Sequence, residues 1–268
     1  VVYMPVNDEL GSRMKNFYEA IPKIKLTRRT PVAIRLDGRA FHTFTKGFQK
    51  PFDPVLVETM QETMKYLCEN IQGCVLGYTQ SDEITLILVD YKKLTSAAWF
   101  DYDVQKVCSV SAGMATAAFN QYFKDIVNED WEYYTASKHD LPMPIWTKLT
   151  ECYHDKIGTA TFDSRCFNIP REEVANLIYW RQLDAIRNSI QSVGQTYFSK
   201  AELKGKSCKE IKKMLLEKYW LNWDEIDTPL QRGSCYVKQK NGWSVDKNIP
   251  MFKGEDRKYI ENLIKEVE

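Results

Sequence analysis

The chain has 268 residues, 44% of them hydrophobic and 27% charged, with a formal net charge of +1. That length suits one or two domains with a sizeable core, and the composition excludes a disordered or collagen-like chain. The near-neutral balance excludes a uniformly basic nucleic-acid binder, and no apolar run reaches the ~18 residues of a membrane span, so no membrane partner is expected.

Residues 1–30 read as an N-terminal extension, with a helix around Asp8–Ile21 and a basic tail of Lys23, Lys25, Arg28 and Arg29. No secretory signal is recognisable there, and seven cysteines without C-x-x-C spacing read as reduced thiols; both point to a cytoplasmic protein. Pro31–Leu36 is an apolar strand ended by Asp37-Gly38, followed by a short helix or loop over Arg39–Lys50. Asp53-Pro54 starts a helix, with Asp as N-cap and Pro at the first helical position, carried by Leu56, Met60, Met64, Leu67 and Ile71 and stopped at Gly73. Cys74–Tyr78 and Ile84–Val89 are two strands joined through Ser81-Asp82. Trp99–Phe123 reads as a second long helix, and Asn128–Gly158, rich in aromatics and proline, as an irregular surface excursion. Thr159–Ile169 returns as a strand. Arg171–Val193 and the lysine-rich Ser199–Tyr219 are helical, Gly233–Lys238 is a strand, and Glu255–Glu268 a terminal helix.

The order strand, helix, hairpin has a consequence. If the first strand pairs beside the hairpin, its C-terminal end lies at the hairpin tip, and Asp37 meets Asp82. The expected fold is α+β. It is a palm of the polymerase or cyclase kind over residues 30–170, a βαββ antiparallel sheet with helices on one face, and a mostly helical region over 171–268 packs on it. Two carboxylates at such a site suit two magnesium ions, hard cations that take carboxylate, carbonyl, water and phosphate oxygens. Asp-Gly and Ser-Asp are also ordinary turn pairs, so the pattern alone leaves a plain turn reading open. Glu83 adjoins Asp82, but alternation turns it to the opposite face, making it the weaker ligand.

Other groups are weighed by their nearness to this pair. Arg35, Arg39, Lys50, Gln80, Ser81, Lys106 and Arg165 suit triphosphates, although each alone also reads as solvated surface. His42 between Phe41 and Phe44 either flanks a nucleobase or belongs to the core edge. Cys152 and His154, with His139 and Asp155, lack a second ligand pair with zinc spacing and read as a loop. The lysines of 200–218 either contact RNA phosphates or form a solvated helix face diluted by Glu202, Glu210 and Glu217. No phosphate-binding glycine loop or dinucleotide fingerprint is present.

Taken in order, Arg35-Leu36-Asp37-Gly38-Arg39-Ala40-Phe41-His42-Thr43-Phe44, Phe48-x-Lys50-Pro51-x-Asp53 and Tyr78-x-Gln80-Ser81-Asp82-Glu83 resemble the signature of the tRNA-histidine guanylyltransferase superfamily, the 3′-to-5′ polymerases. Trp99-Phe100 with Lys106, Phe162-Asp163-x-Arg165 and Tyr179-Trp180-Arg181-Gln182-x-Asp184 continue the resemblance. It implies two Mg2+ ions on Asp37, Asp82 and the Gly38 carbonyl, with Glu83 as a further acid needed for activity. It implies an activating-nucleotide site at His42, Lys50 and Asp53, and Arg39, Ala40 and Phe41 are further nucleotide-binding candidates. A second triphosphate site follows at Arg35, Gln80, Ser81, Lys106 and Arg165. ATP, GTP and other nucleoside triphosphates are the implied substrates, tRNA the implied partner and a homotetramer the implied assembly. Arg181, Arg187, Lys204, Lys206 and Lys209 are the candidate RNA contacts.

One segment departs from the family pattern. Guanylyltransferases proper carry His-Ile-Asn-Asn-Leu-Tyr-Asn, tied to histidine-tRNA recognition, where this chain has Ala185-Ile186-Arg187-Asn188-Ser189-Ile190-Gln191. The departure favours the guanylyltransferase-like branch, which repairs truncated tRNA 5′ ends against the opposite strand as template. The alternatives are a histidine-tRNA guanylyltransferase, a nucleotidyl cyclase or conventional palm polymerase, and a catalytically silent RNA-binding protein.

Overall fold

The computed structural model describes residues 9–136, 143–239 and 242–265. Strand β1 (Val32–Gly38) alternates Val32, Ile34 and Leu36 with Ala33, Arg35 and Asp37, so its two faces meet different surroundings. With β2 (Cys74–Gln80), β3 (Glu83–Leu88), β4 (Phe162–Asn168), β5 (Ser234–Gln239) and β6 (Gly242–Asp246) it forms a six-stranded antiparallel sheet in the order β4-β1-β3-β2-β5-β6. The expected adjacency of β1 and the hairpin is therefore met: β1 pairs with β3 from Val32↔Leu88 to Asp37↔Glu83.

The helices follow in chain order. Short α1 (Glu9–Met14) runs into a π-helical turn over Lys15–Glu19, and α2 (Phe41–Phe44) is a single turn. Then come α3 (Pro54–Asn70), α4 (Val104–Ala136), α5 (Met143–His154) and α6 (Arg171–Tyr197), followed by α7 (Lys200–Leu203), α8 (Cys208–Tyr219), α9 (Thr228–Arg232) and α10 (Lys258–Ile264). The Asp53 side chain accepts from the Leu56 N–H at 3.0 Å, which fixes the start of α3. None of the helices among the described residues is long and apolar enough to cross a membrane.

Helices cover both faces of the sheet rather than one. On the first face Val32, Ile34, Leu36, Ile84 and Leu86 pack against Met60, Met64 and Leu67 of α3 and Phe119 and Phe123 of α4. On the second face Ala33, Ile87, Leu76 and Val237 pack against Val174 and Ile178 of α6 and Ile260 and Ile264 of α10. All six residues of β3 are buried, as a strand covered on both sides requires.

Several expectations are corrected here. The excursion expected over 128–158 is largely helical: α4 continues to Ala136, and α5, which holds Cys152 and His154, packs back on α4. The helix expected from Trp99 starts at Val104, because Phe100 and Asp101 adopt left-handed φ of 51°. Ser199–Tyr219 is two helices, each opened by a capping box, Ser199 with Glu202 and Ser207 with Glu210. Residues 171–268 supply β5 and β6 to the same sheet, and β6 had no expected counterpart. Asp8, His139 and residues 266–268 lie outside the described residues.

Candidate active site

Antiparallel register sets out the polar end of the second sheet face in rows. Partners across strands share a face and lie about 5 Å apart at Cβ. The outermost row is Asp163, Asp37, Glu83 and Gln80; the next is Arg165, Arg35, Thr85 and Tyr78; the third is apolar and lies under α6 and α10. Glu83 thus shares a face with Asp37, while Asp82 stands in the turn itself. The backbone ties the two strand ends together, since the Gly38 N–H donates to the Asp82 carbonyl at 3.0 Å. Gly38 is required for a packing reason: a Cβ there would lie 2.3 Å from Cδ2 of the Phe41 ring. The turns on either side are strained, with Ala40 at φ 55° and Ser81 at φ 51°.

Charge at this end is left unbalanced. Asp82 accepts a hydrogen bond from the Ser81 hydroxyl at 3.0 Å, and among the described residues neither Asp37 nor Asp82 forms an ion pair with a basic side chain. Burial pushes the Asp82 carboxyl above the usual range, the neighbouring Asp37 charge adds to the rise, and the Ser81 hydroxyl opposes it. Arg165 in the next row feels the Asp37 charge, but among the described residues neither acid has a direct basic partner, and such a like-charged pair favours a bound cation. Among the described residues no three His, Cys, Asp or Glu side chains gather in metal-holding geometry. Two carboxylates would therefore be the side-chain share, a donor set suited to a hard divalent ion that keeps water and phosphate oxygens as its other ligands.

Glu83 is committed elsewhere. Its Oε1 accepts from Nε of Arg181 on α6 at 2.6 Å, with both side chains 9% exposed. Burial pushes the Glu83 carboxyl up, and Arg181 and then Arg35 pull it back. Arg181 continues to Asp184 at 2.9 Å, which also binds Arg187. Arg181, expected as an RNA contact, is thus enclosed between two acids. Trp180 is half exposed and lies between Arg35, 5.6 Å from its ring centre, and Arg181, at 4.5 Å.

A cavity of about 350 Å³ opens beside the acid turn. Its wall includes Phe41, His42, Lys50, Asp53, Gln80, Ser81 and Asp82 of the expected set. Sequence reasoning missed the opposite wall: Asn188, Ser189 and Ser192 of α6, and Leu230 and Gln231 of α9. The Ser192 hydroxyl donates to the Pro51 carbonyl at 2.8 Å, holding the loop with the cis Lys50-Pro51 peptide against α6. Asp53 lines the cavity, but its oxygens accept from Leu56 N–H, Gln49 N–H at 2.9 Å and the Tyr153 hydroxyl at 2.6 Å. Phe41 and Phe44 are both core, stacked at 4.9 Å within a cluster with Phe119 and Phe123. His42 and Lys50 are both exposed at the cavity, and the Thr43 hydroxyl lies 3.1 Å from Nε2 of His42.

The remaining expected residues do not join the cavity. Arg35 and Arg165 are cross-strand neighbours on the sheet face, and Arg165 pairs with Asp163 at 2.9 Å. Arg39 and Ala40 form the exposed turn after β1. Lys106 stands exposed in the first turn of α4, on the layer behind the sheet. Arg187, Lys204, Lys206 and Lys209 are exposed; Lys206 faces Glu210 at 3.5 Å.

A family model described as tRNAHis guanylyltransferase matches residues 11–170, more than half of the chain. The chain belongs to the tRNAHis guanylyltransferase family. It is accordingly an enzyme of the nucleotidyltransferase class on a palm-like α+β fold. Among solved structures, a bacterial tRNA(His) guanylyltransferase-like protein in complex with ATP is 40% identical and superposes with a TM-score of 0.78, covering 95% of this chain and 99% of that one. A bacterial protein of the same description in complex with GTP is 38% identical, with a TM-score of 0.70 and coverage of 96% and 99%. A probable tRNA(His) guanylyltransferase of Dictyostelium discoideum is 25% identical over 245 residues, 87% of this chain and 84% of the relative.

Proposed function

We propose that this member of the family adds nucleotides in the 3′-to-5′ direction to the 5′ end of tRNA, directed by the opposite strand, as a 5′-end repair enzyme. The observation that carries the reading is Asp82 on the wall of a cavity it shares with His42, Lys50, Gln80 and Ser81, with the Asp37 carboxylate near enough to raise it. A cavity of about 350 Å³ falls in the size range of small-ligand sites. The likeness to guanylyltransferase-like proteins holding ATP and GTP supports nucleoside triphosphates as its occupants. Support for the repair branch comes from Ala185 and Asn188, which line the cavity from the segment where guanylyltransferases proper carry their histidine-tRNA motif.

In this reading an oxygen of the RNA 5′-monophosphate attacks the α-phosphorus of ATP, and pyrophosphate leaves. The 3′-hydroxyl of an incoming nucleotide then attacks the activated phosphate, and AMP leaves. Two magnesium ions on Asp37, Asp82 and the Gly38 carbonyl would supply acid activation of the hydroxyl and neutralise triphosphate charge. The chain's own part is alignment. Lys50 and His42 meet the activating nucleotide, and the guanidinium pair Arg35–Arg165 offers a fork to a second triphosphate. Glu83, held by Arg181, keeps β3 in register beside Asp37.

The test is a tRNA lacking its 5′ nucleotide, labelled at the 5′-monophosphate and incubated with ATP, all four nucleotides and magnesium. Addition that follows the base on the 3′ side is expected. Addition of G alone, on histidine tRNA alone, overturns the repair branch. Absence of both product and adenylylated intermediate overturns the enzymatic reading.

A further inference from the structure

Away from the acid turn, α6 and α8 end side by side. Gly194 of α6 permits this, since a Cβ there would meet Ile211 of α8 at 2.8 Å. The two helix ends bring the rings of Tyr197 and Tyr219 to 4.9 Å, and the Tyr219 hydroxyl donates to the Tyr197 carbonyl at 2.9 Å. The next residue, Trp220, adopts left-handed backbone, φ 56° and ψ 22°, and its side chain is 89% exposed. That conformation is unfavourable for a bulky residue, and an indole so exposed gains little burial in return. Lys218 lies 5.5 Å over the Tyr219 ring, and Lys200 follows Tyr197 by three residues. The stretch 200–218 carries seven lysines against three glutamates; Lys206, Lys212, Lys213 and Lys218 are ion-paired with Glu210, Asp224, Glu217 and Glu202, which leaves Lys200, Lys204 and Lys209 outside the ion pairs among the described residues.

From this we propose that Trp220, with Tyr219 and Tyr197, is a stacking platform for an unpaired base of the RNA substrate, its neighbouring lysines holding the adjoining phosphates. The inference rests on the reading that the chain acts on RNA. Flat π surface set among excess positive charge is what an unpaired nucleotide requires: stacking accepts any base, and lysines meet the backbone. The platform also lies within the span of one RNA. Ser192, on the cavity wall, and Tyr197 are five residues apart on α6, about 7.5 Å of helix.

The experiment measures RNA affinity of the full chain and of Trp220→Ala and Trp220→Phe. The probes are intact tRNA, the same tRNA trimmed of its unpaired 3′ nucleotides, and a blunt RNA duplex. ATP affinity, melting temperature and assembly size are followed in parallel. Trp220→Ala is expected to weaken binding of intact tRNA by roughly 5- to 150-fold, the range of one lost base stack, while Trp220→Phe retains most of the affinity. Blunt-duplex binding, ATP binding and assembly size are expected to stay unchanged. If trimming removes the effect of Trp220→Ala, the stacked base belongs to the 3′ end; if the effect persists, it belongs to a loop. Wild-type affinity of Trp220→Ala for intact tRNA overturns the platform, as does a change in assembly size, which would make the patch a protein interface. Failure of the wild-type chain to bind any tRNA overturns the RNA reading itself and is told apart by that control.

Discussion

Replacing Arg181 by methionine removes the guanidinium from a buried pair while keeping most of the side-chain volume. Glu83 then stays 9% exposed with no cation at 2.6 Å. Breaking a buried ion pair from one side costs about 3–5 kcal/mol. At about 2–4 °C per kcal/mol for a chain near this size, the melting temperature should fall by roughly 6–20 °C. The loss depends on pH with a definite sign. Burial already raises the Glu83 carboxyl, and without Arg181 it rises further. The penalty is therefore full above the folded-state value and fades as pH falls toward the unfolded value of about 4.3. Thermal and denaturant unfolding of Arg181→Met and wild type at about pH 8 and about pH 5 measure it. The deficit should shrink at the lower pH, and adding Glu83→Leu to Arg181→Met should restore much of the stability. A deficit below about 1 kcal/mol, the range of exposed pairs, or one independent of pH, would refute the positioning role. Lost RNA affinity at unchanged stability would instead return Arg181 to the surface contacts.

Gly38→Ala drives a methyl into the Phe41 ring, a contact of 2.3 Å that demands movement of the aromatic cluster; we expect a loss of about 1–3 kcal/mol and a large fall in nucleotide addition, read by unfolding and turnover. Asp53→Ala removes the cap of α3 and the carboxylate that accepts from the Gln49 N–H and the Tyr153 hydroxyl; about 2–4 kcal/mol should be lost, with a raised KM for the activating nucleotide. Asp82→Asn removes a carboxylate whose folded-state pKa is raised, so its ionised form opposes folding as pH rises through that value. The variant should melt above wild type at neutral pH without magnesium and lack the magnesium-dependent rise expected of wild type.

The acid turn was legible because its signals are local. Continuous apolar runs bounded by Asp37-Gly38 and Ser81-Asp82 fix β1 and the β2–β3 hairpin, and Asp53-Pro54 marks the start of α3. The same unbroken runs carried a further signal, since a strand with no polar alternation is covered on both faces; helices on one face alone did not fit β3. The far cavity wall had no local mark. Asn188 and Ser192 carry no local sequence signal of a site, and the packing of α6 across the second sheet face brings them to the cavity beside Lys50 and Pro51. Ser189 is buried in spite of its polarity because it accepts from the Trp223 indole at 3.1 Å. Arg181 reads as surface in any helix; its partner Glu83 is 98 residues away. Aromatic and proline content made 128–158 look irregular, but helical α4 and α5 fill most of that span.

We propose that Asp37 and Asp82 act together in transferring a nucleotide to a tRNA 5′ end. The most direct measurement is single-turnover addition to a 5′-truncated tRNA by Asp37→Asn beside wild type, with ATP affinity measured on both proteins. We expect a folded variant that still binds ATP and adds no nucleotide at any magnesium concentration. Addition by Asp37→Asn at a rate near that of wild type would contradict it.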